Sequence, residues 1–230
     1  EAAREAGTLD AMTDHVAAAD VDDDVRRAAS NHLRLADSWG VFDPDGLDAP
    51  ALLSGEATVL DCAGLHDRAA SALVRAVALG LYDACVGARP VRLPWLVVDE
   101  VHAFFDGVAA PALETVLTRG RTPVVSLVAA TQRPSALPAA AVSQADLLFA
   151  HRLTAAADVE ALSAAAPTYL SGTLRERLPT VPGDAVVVDD ATESVHGIAV
   201  RDRATPHGGA DPRASDRTGD APASTADRAG

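Results

Sequence analysis

The 230 residues are 48% apolar, enough for one large domain or two small ones with a real core; aromatics at 3% leave Ala and Val to fill it, which favours tightly packed helix-on-sheet layers over an aromatic-rich sandwich. The 33 acidic and 19 basic groups give a formal charge of -14 spread along the chain, a surface that repels bare phosphate, and every basic residue is Arg. No apolar run approaches the ~18 residues of a membrane span, and no basic-then-apolar leader opens the chain.

The first clear helix runs from Asp22 to Trp39, with Val25, Ala29, His32 or Leu33, Ala36 and Trp39 at three- and four-residue spacing, acidic residues in its first turn, and Gly40 as its stop. Phe42 to Gly46 is turn chemistry, and Ala57 to Cys62 predicts a short buried strand. Asp67 to about Val86 places Ala70, Leu73, Val74, Val77, Leu81 and Ala84 on one helix face, closed by Gly87 and Pro90. Strand Trp95 to Val98, helix Ala110 to Thr118, strand Val124 to Ala129, a short helix near Ala139, strand Leu147 to Ala150 and helix Ala155 to Ala165 follow. That alternation predicts an α/β fold, a mostly parallel sheet with helices on both faces. Ala185 to Val188 and Ile198 to Val200 predict a small antiparallel pair, and Asp202 to Gly230, without Val, Leu, Ile, Met or an aromatic, predicts a disordered tail.

The chemistry concentrates at two strand ends. Asp99 and Glu100 close the strand beginning at Trp95; an acidic pair at the carboxyl end of a buried parallel strand can hold a magnesium-bound water through Asp99 and orient an attacking water through Glu100. Read alone, the pair is equally a buried strand running out into solvent. Gln132, just past the next strand, can sense that water. A phosphate loop needs Lys in Gly-x-x-x-x-Gly-Lys-Ser/Thr, and the chain has none. Asp61 suits a capping or sheet-end role, His102 a packed or solvated ring, and His151-Arg152 a sheet-edge anchor. Cys62 and Cys85 lack metal-ligand spacing and read as small buried apolars, reduced in a cytoplasmic protein.

Five ordered motifs carry a family resemblance: Val59 to Leu65, Asp99-Glu100-Val101-His102, Thr118-Arg119-Gly120-Arg121, Ala130 to Ser135, and Arg201 to Gly209. With them the chain resembles the carboxyl-terminal part of the HerA/FtsK-type P-loop ATPases, DNA-pumping motors, and more closely the HerA-like, DUF87-type branch. The resemblance implies a RecA-like core in a homo-oligomeric ring, usually a hexamer, binding ATP and Mg2+ between subunits and double-stranded DNA in its channel, with a possible nuclease partner and no membrane. It matches Asp99 and Glu100 to the Walker B pair and Gln132 to the sensor, and makes Arg121, then Arg119, the candidate arginine finger toward the next subunit; either Arg is otherwise a solvated helix end. His102 stands where the family often has His and would relay nucleotide state. The Walker A strand is expected upstream, since the chain opens Glu-Ala-Ala-Arg without an initiator Met. The expected divisions are an acidic helical segment at 1–50 packing on the core, a RecA-like core at 51–178, a small β extension at 179–201 and the tail at 202–230. A catalytically inactive remnant that docks on an intact motor is the alternative. Lys-free, Asp-rich composition also resembles that of proteins from salt-loving archaea.

Overall fold

The computed structural model describes residues 7–55, 57–87, 91–165, 169, 174–202 and 204–205. Two strands position the acidic pair: β1 (Trp95–Val98) and β2 (Ser126–Ala129) run in parallel, Trp95 opposite Ser126 and Val98 opposite Ala129. A parallel pair needs a crossover, and here it contains α5 (Ala110–Arg119). Before it come α1 (Leu9–Ala18), α2 (Asp23–Asp37), α3 (Ala49–Ser54) and the long α4 (Asp67–Gly87); after β2 come α6 (Ala139–Ser143), β3 (Leu147–His151), α7 (Ala156–Ala164), α8 (Leu174–Arg177), β4 (Asp184–Asp189) and β5 (Ser194–Ala199).

Helix α2 begins as its sequence predicts, with Asp22 capping the Asp24 N–H at 2.9 Å and Asp23 and Asp24 pairing with Arg26 and Arg27 one turn on. Helices α1 and α2 pack on each other, and neither holds a buried residue. Helix α4 is 21 residues, long and apolar enough by composition to cross a membrane even though Arg75 and Asp83 interrupt its apolar run. It lies against α3 and α5, and Arg75 donates to the Val108 carbonyl at 3.1 Å.

The core sits on one side of the β1–β2 pair. Ala78 and Cys85 of α4 meet Ala112 and Val116 of α5 and Val125, while Val98, Val101, Ala109 and Leu113 form a second cluster beneath the strand tips. Full burial of Leu113 contributes about 2 kcal/mol, and that of Val101 somewhat less. The small Ala side chains let α4 and α5 approach closely. The other side of the pair is bare: Trp95 is 68% and Val97 65% exposed, alternating with inward Leu96 and Val98.

Three expectations change. Residues 57–62 form no strand, and Val59 is 88% exposed, because no ladder reaches them from β1's outer edge. Cys62 accordingly is half-buried, whereas Cys85 is buried and its thiol pKa pushed up by that burial. The mostly parallel sheet is divided, since β3 pairs not with β2 but with β4, antiparallel, Phe149 opposite Val187, and β4 pairs antiparallel with β5. The expected antiparallel pair is therefore the continuation of β3, closed by a turn in which the Asp189 carboxylate accepts the Ala191 and Thr192 amides at 2.9 and 3.2 Å. The expected tail lies outside the described residues from 206 onward.

Candidate active site

The ladder between β1 and β2 is interrupted at the acidic pair. The Ala130 N–H donates to the Val98 carbonyl at 3.0 Å, and the Ala130 carbonyl accepts from the Val101 N–H at 3.0 Å, so Asp99 and Glu100 form a two-residue excursion fastened on both sides to one residue of the neighbouring segment. Glu100 makes the reversal with φ 47 and ψ 40, left-handed backbone that costs a non-glycine residue on the order of 1–2 kcal/mol. Its N–H is capped by Asp99 Oδ1 at 2.9 Å. A single 3-10 turn, Val101–Phe104, then carries the chain toward α5.

This geometry brings three sequence-predicted residues together. Gln132 Nε2 donates to Glu100 Oε1 at 2.7 Å across the two strand ends, and Asp99 stands exposed beside them. His102, next along the turn, is the fourth: its Nδ1 lies 3.0 Å from Thr131 Oγ1 and 3.3 Å from Glu100 Oε2. The second approach is close enough for an ion pair but not aligned as a hydrogen bond, and Oε2, sheltered from solvent, has no hydrogen-bond partner. Thr131 lies within the Ala130-to-Ser135 motif, but the sequence assigns it no role of its own.

Among the described residues no group of three or more His, Cys, Asp or Glu forms a metal cage. The arrangement fits Mg2+ better than a caged cation: one exposed carboxylate, Asp99, with one oxygen engaged by backbone and the other open, is what a largely hydrated ion shared with phosphate oxygens requires.

The two arginines lie elsewhere. Arg119 ends α5 and Arg121 precedes β2, beyond the opposite end of that strand from Gln132. Arg121 pairs with Asp146, just before β3. Between them Gly120 sits where a Cβ would lie 2.3 Å from the Val116 carbonyl oxygen and 2.6 Å from that of Val125, so the Arg-Gly-Arg corner admits no side chain at its centre. Val124, at φ 63, delays the start of β2 beyond the predicted residue.

The other sequence candidates are structural. Asp61 Oδ1 caps the Ala63 N–H in a turn at 2.9 Å, and His151 Nδ1 lies 3.1 Å from the Asp184 carbonyl at the sheet edge. A further carboxylate emerges only from the fold: buried Asp158 of α7 accepts the Ser135 N–H at 3.0 Å, fixing the segment after Gln132. Hydrogen bonds from the Ser135 side chain and backbone, assisted by Arg133, hold its pKa below the usual carboxylate value against the opposing effect of burial.

No family model matches the chain, and no curated protein does. Among solved structures it is similar to the genome-packaging NTPase B204 of Sulfolobus turreted icosahedral virus 2. The complex of that protein with AMPPCP superposes with a TM-score of 0.53 at 16% identity, over 69% of this chain and 73% of that one. Its complex with ATP-gammaS gives 0.50 at 18%, over 68% and 72%. At such identity the likeness is one of fold: this chain has the α/β fold, parallel strands flanked by helices, of that NTPase.

Proposed function

We propose that the chain is the hydrolytic part of a HerA/FtsK-type P-loop ATPase, HerA-like, that hydrolyses ATP to translocate on double-stranded DNA. The observation that carries the reading is the 2.7 Å bond joining Gln132 to Glu100 at the ends of adjacent parallel strands, where open α/β sheets bind ligands. Glu100 is the carboxylate that orients the attacking water and takes its proton; Gln132 is the sensor that shares it. Asp99 is the residue that would hold Mg2+, and the bound ion would neutralise developing phosphate charge. The neighbour in fold is a genome-packaging NTPase seen with ATP analogues, which favours nucleotide-driven DNA movement over other α/β chemistries.

The reading further holds that the core, set within 51–178 and extended by strands to 201, is completed by a Walker A strand and loop from outside these 230 residues. Three facts support it. The chain contains no Lys, β2 and β3 each leave an edge unpaired among the described residues, and Trp95, Val97, Leu147 and Phe149 present exposed apolar side chains. A strand between β2 and β3 with its following helix would satisfy both. Arg121, remote from Glu100 in its own subunit, would act on a neighbour's nucleotide in a cytoplasmic, six-membered ring; Arg119 is the alternate, and the acidic segment 1–50 and any nuclease partner lie outside the chemistry.

The absence of Lys also favours a second reading, a catalytically inactive subunit that docks on an intact motor. The complete protein decides between them. Glu100→Gln keeps size but loses proton affinity, so turnover should fall at least about 100-fold with nucleotide binding retained, and Asp99→Ala should weaken Mg2+-dependent binding. Undiminished turnover in Glu100→Gln removes Glu100 from the mechanism.

A further inference from the structure

Two side chains, Gln132 and His102, close on the Glu100 carboxylate with Thr131 behind the second, and their donors and acceptors can be counted. A carboxylate oxygen only accepts, so the ring nitrogen facing Glu100 Oε2 serves it only as Nδ1–H. The same nitrogen lies 3.0 Å from Thr131 Oγ1, whose lone pairs receive both that proton and the Arg133 N–H, also at 3.0 Å. Thr131 is thereby fixed by its own backbone turn and fixes the imidazole in turn. The ring, its side chain 19% exposed, covers Oε2, while Gln132 occupies Oε1. Oε2 is thereby closed to solvent, and what the half-exposed Glu100 side chain offers to water is Oε1, beside its bond to Gln132.

We propose that His102 is a positioning residue: oriented by Thr131, it shields Glu100 Oε2 and so presents Oε1 to Gln132 and to the site's solvent. Its meaning for catalysis rests on the reading of Glu100 as the water-orienting carboxylate, but the clamp itself does not. The strained backbone at Glu100 thus carries a side chain bonded at Oε1 and sheltered at Oε2. The clamp is tertiary, since His102 and Thr131 stand 29 positions apart in sequence, beyond the ends of adjacent strands.

The test reads hydrogen bonds, not turnover, so its failure is distinct from that of the proposed function, which Glu100→Gln decides. In the 230-residue chain labelled with nitrogen-15, side-chain amides come only from Asn31, Gln132 and Gln144, so the Gln132 pair is readily assigned. Long-range proton–nitrogen correlations should show His102 protonated at Nδ1. His102→Ala should move the Gln132 amide pair to the position of a free glutamine, and His102→Asn, whose amide replaces Nδ1, should restore it. Thr131→Val, nearly isosteric, should let His102 populate the Nε2–H tautomer and reads the same clamp if His102→Ala fails to fold. Gln132 signals unchanged in His102→Ala with an intact backbone spectrum, or unchanged His102 tautomer in Thr131→Val, would overturn the proposal.

Discussion

Replacing Gly120 by Ala tests whether the Arg119–Arg121 corner is as closely packed as the structure has it. The residue's φ of -63 and ψ of -25 suit alanine, so by backbone preference alone the change should stabilise by about 0.4–1 kcal/mol. Against that, the new methyl meets two backbone oxygens, 2.3 Å from Val116 and 2.6 Å from Val125, and no side-chain rotation relieves either. The backbone must move, and it is tied by the bonds from Gly120 N–H to Val116 at 2.8 Å and from Val125 N–H to Gly120 at 2.9 Å. Losing both, at about 1 kcal/mol each, and displacing Val125 from the core outweighs the entropic gain by about 1–2 kcal/mol. At about 2–4 °C per kcal/mol for a chain of this size, the midpoint should fall by about 2–8 °C in thermal circular dichroism, with faster amide exchange at Gly120 and Val125. Gly197, with nothing near its absent Cβ, is the control and should tolerate Ala. A Gly120→Ala chain as stable as the parent would refute the packing argument.

Other outcomes follow from the site and its supports. The 230 residues alone should bind no ATP at micromolar concentration by calorimetry, since no Lys is present to meet the phosphates; binding there would overturn the Walker A reading. In the complete protein, subunits carrying Arg121→Ala mixed with subunits carrying Glu100→Gln should regain part of the activity each lacks, because some interfaces pair an intact Arg with an intact Glu. Proven mixing with no recovery would leave Arg121 only its ion pair with Asp146. Asp158→Ala should cost about 2 kcal/mol at pH 7 in urea unfolding by stranding the Ser135 amide. Because the folded pKa of Asp158 is lowered, its contribution is full above an unfolded pKa of about 3.9 and disappears as pH falls through the folded value, so the gap between variant and parent should narrow at pH 3; an equal gap would count against the charge-assisted bond.

What was legible in sequence was whatever local pattern decides. The Trp95-to-Val98 run, the Asp22 cap and the extent of α4 need no distant partner to be read, and they stand where the spacing put them, although the face that α4 buries turns from the predicted Val77 and Ala84 to Ala78 and Cys85. Residues 57–62 carry the same apolar signature as β1, yet a strand exists only when another pairs with it, and that partnership is tertiary. The same holds for β3, whose apolar run says strand but not which neighbour or direction. In the site, Asp99, Glu100 and Gln132 were visible because strand ends concentrate ligand chemistry, and the structure joins the last two directly. The roles of Thr131 and Asp158 were invisible for a different reason: each reaches a distant residue, His102 and Ser135, 29 and 23 positions away in sequence.

The double fastening of Ala130 makes a mechanical unit of the acidic pair and the sensor. With its N–H held by Val98 and its carbonyl by Val101, Ala130 acts as a pivot pin through the base of the Asp99–Glu100 excursion, and Gln132 extends from the same pin by two residues. Gln132 and the excursion are therefore joined through backbone hydrogen bonds as well as through the Gln132–Glu100 bond. The amides of Ala130 and Val101 should open together in hydrogen exchange, and a ligand that stiffens one should slow the other by the same factor.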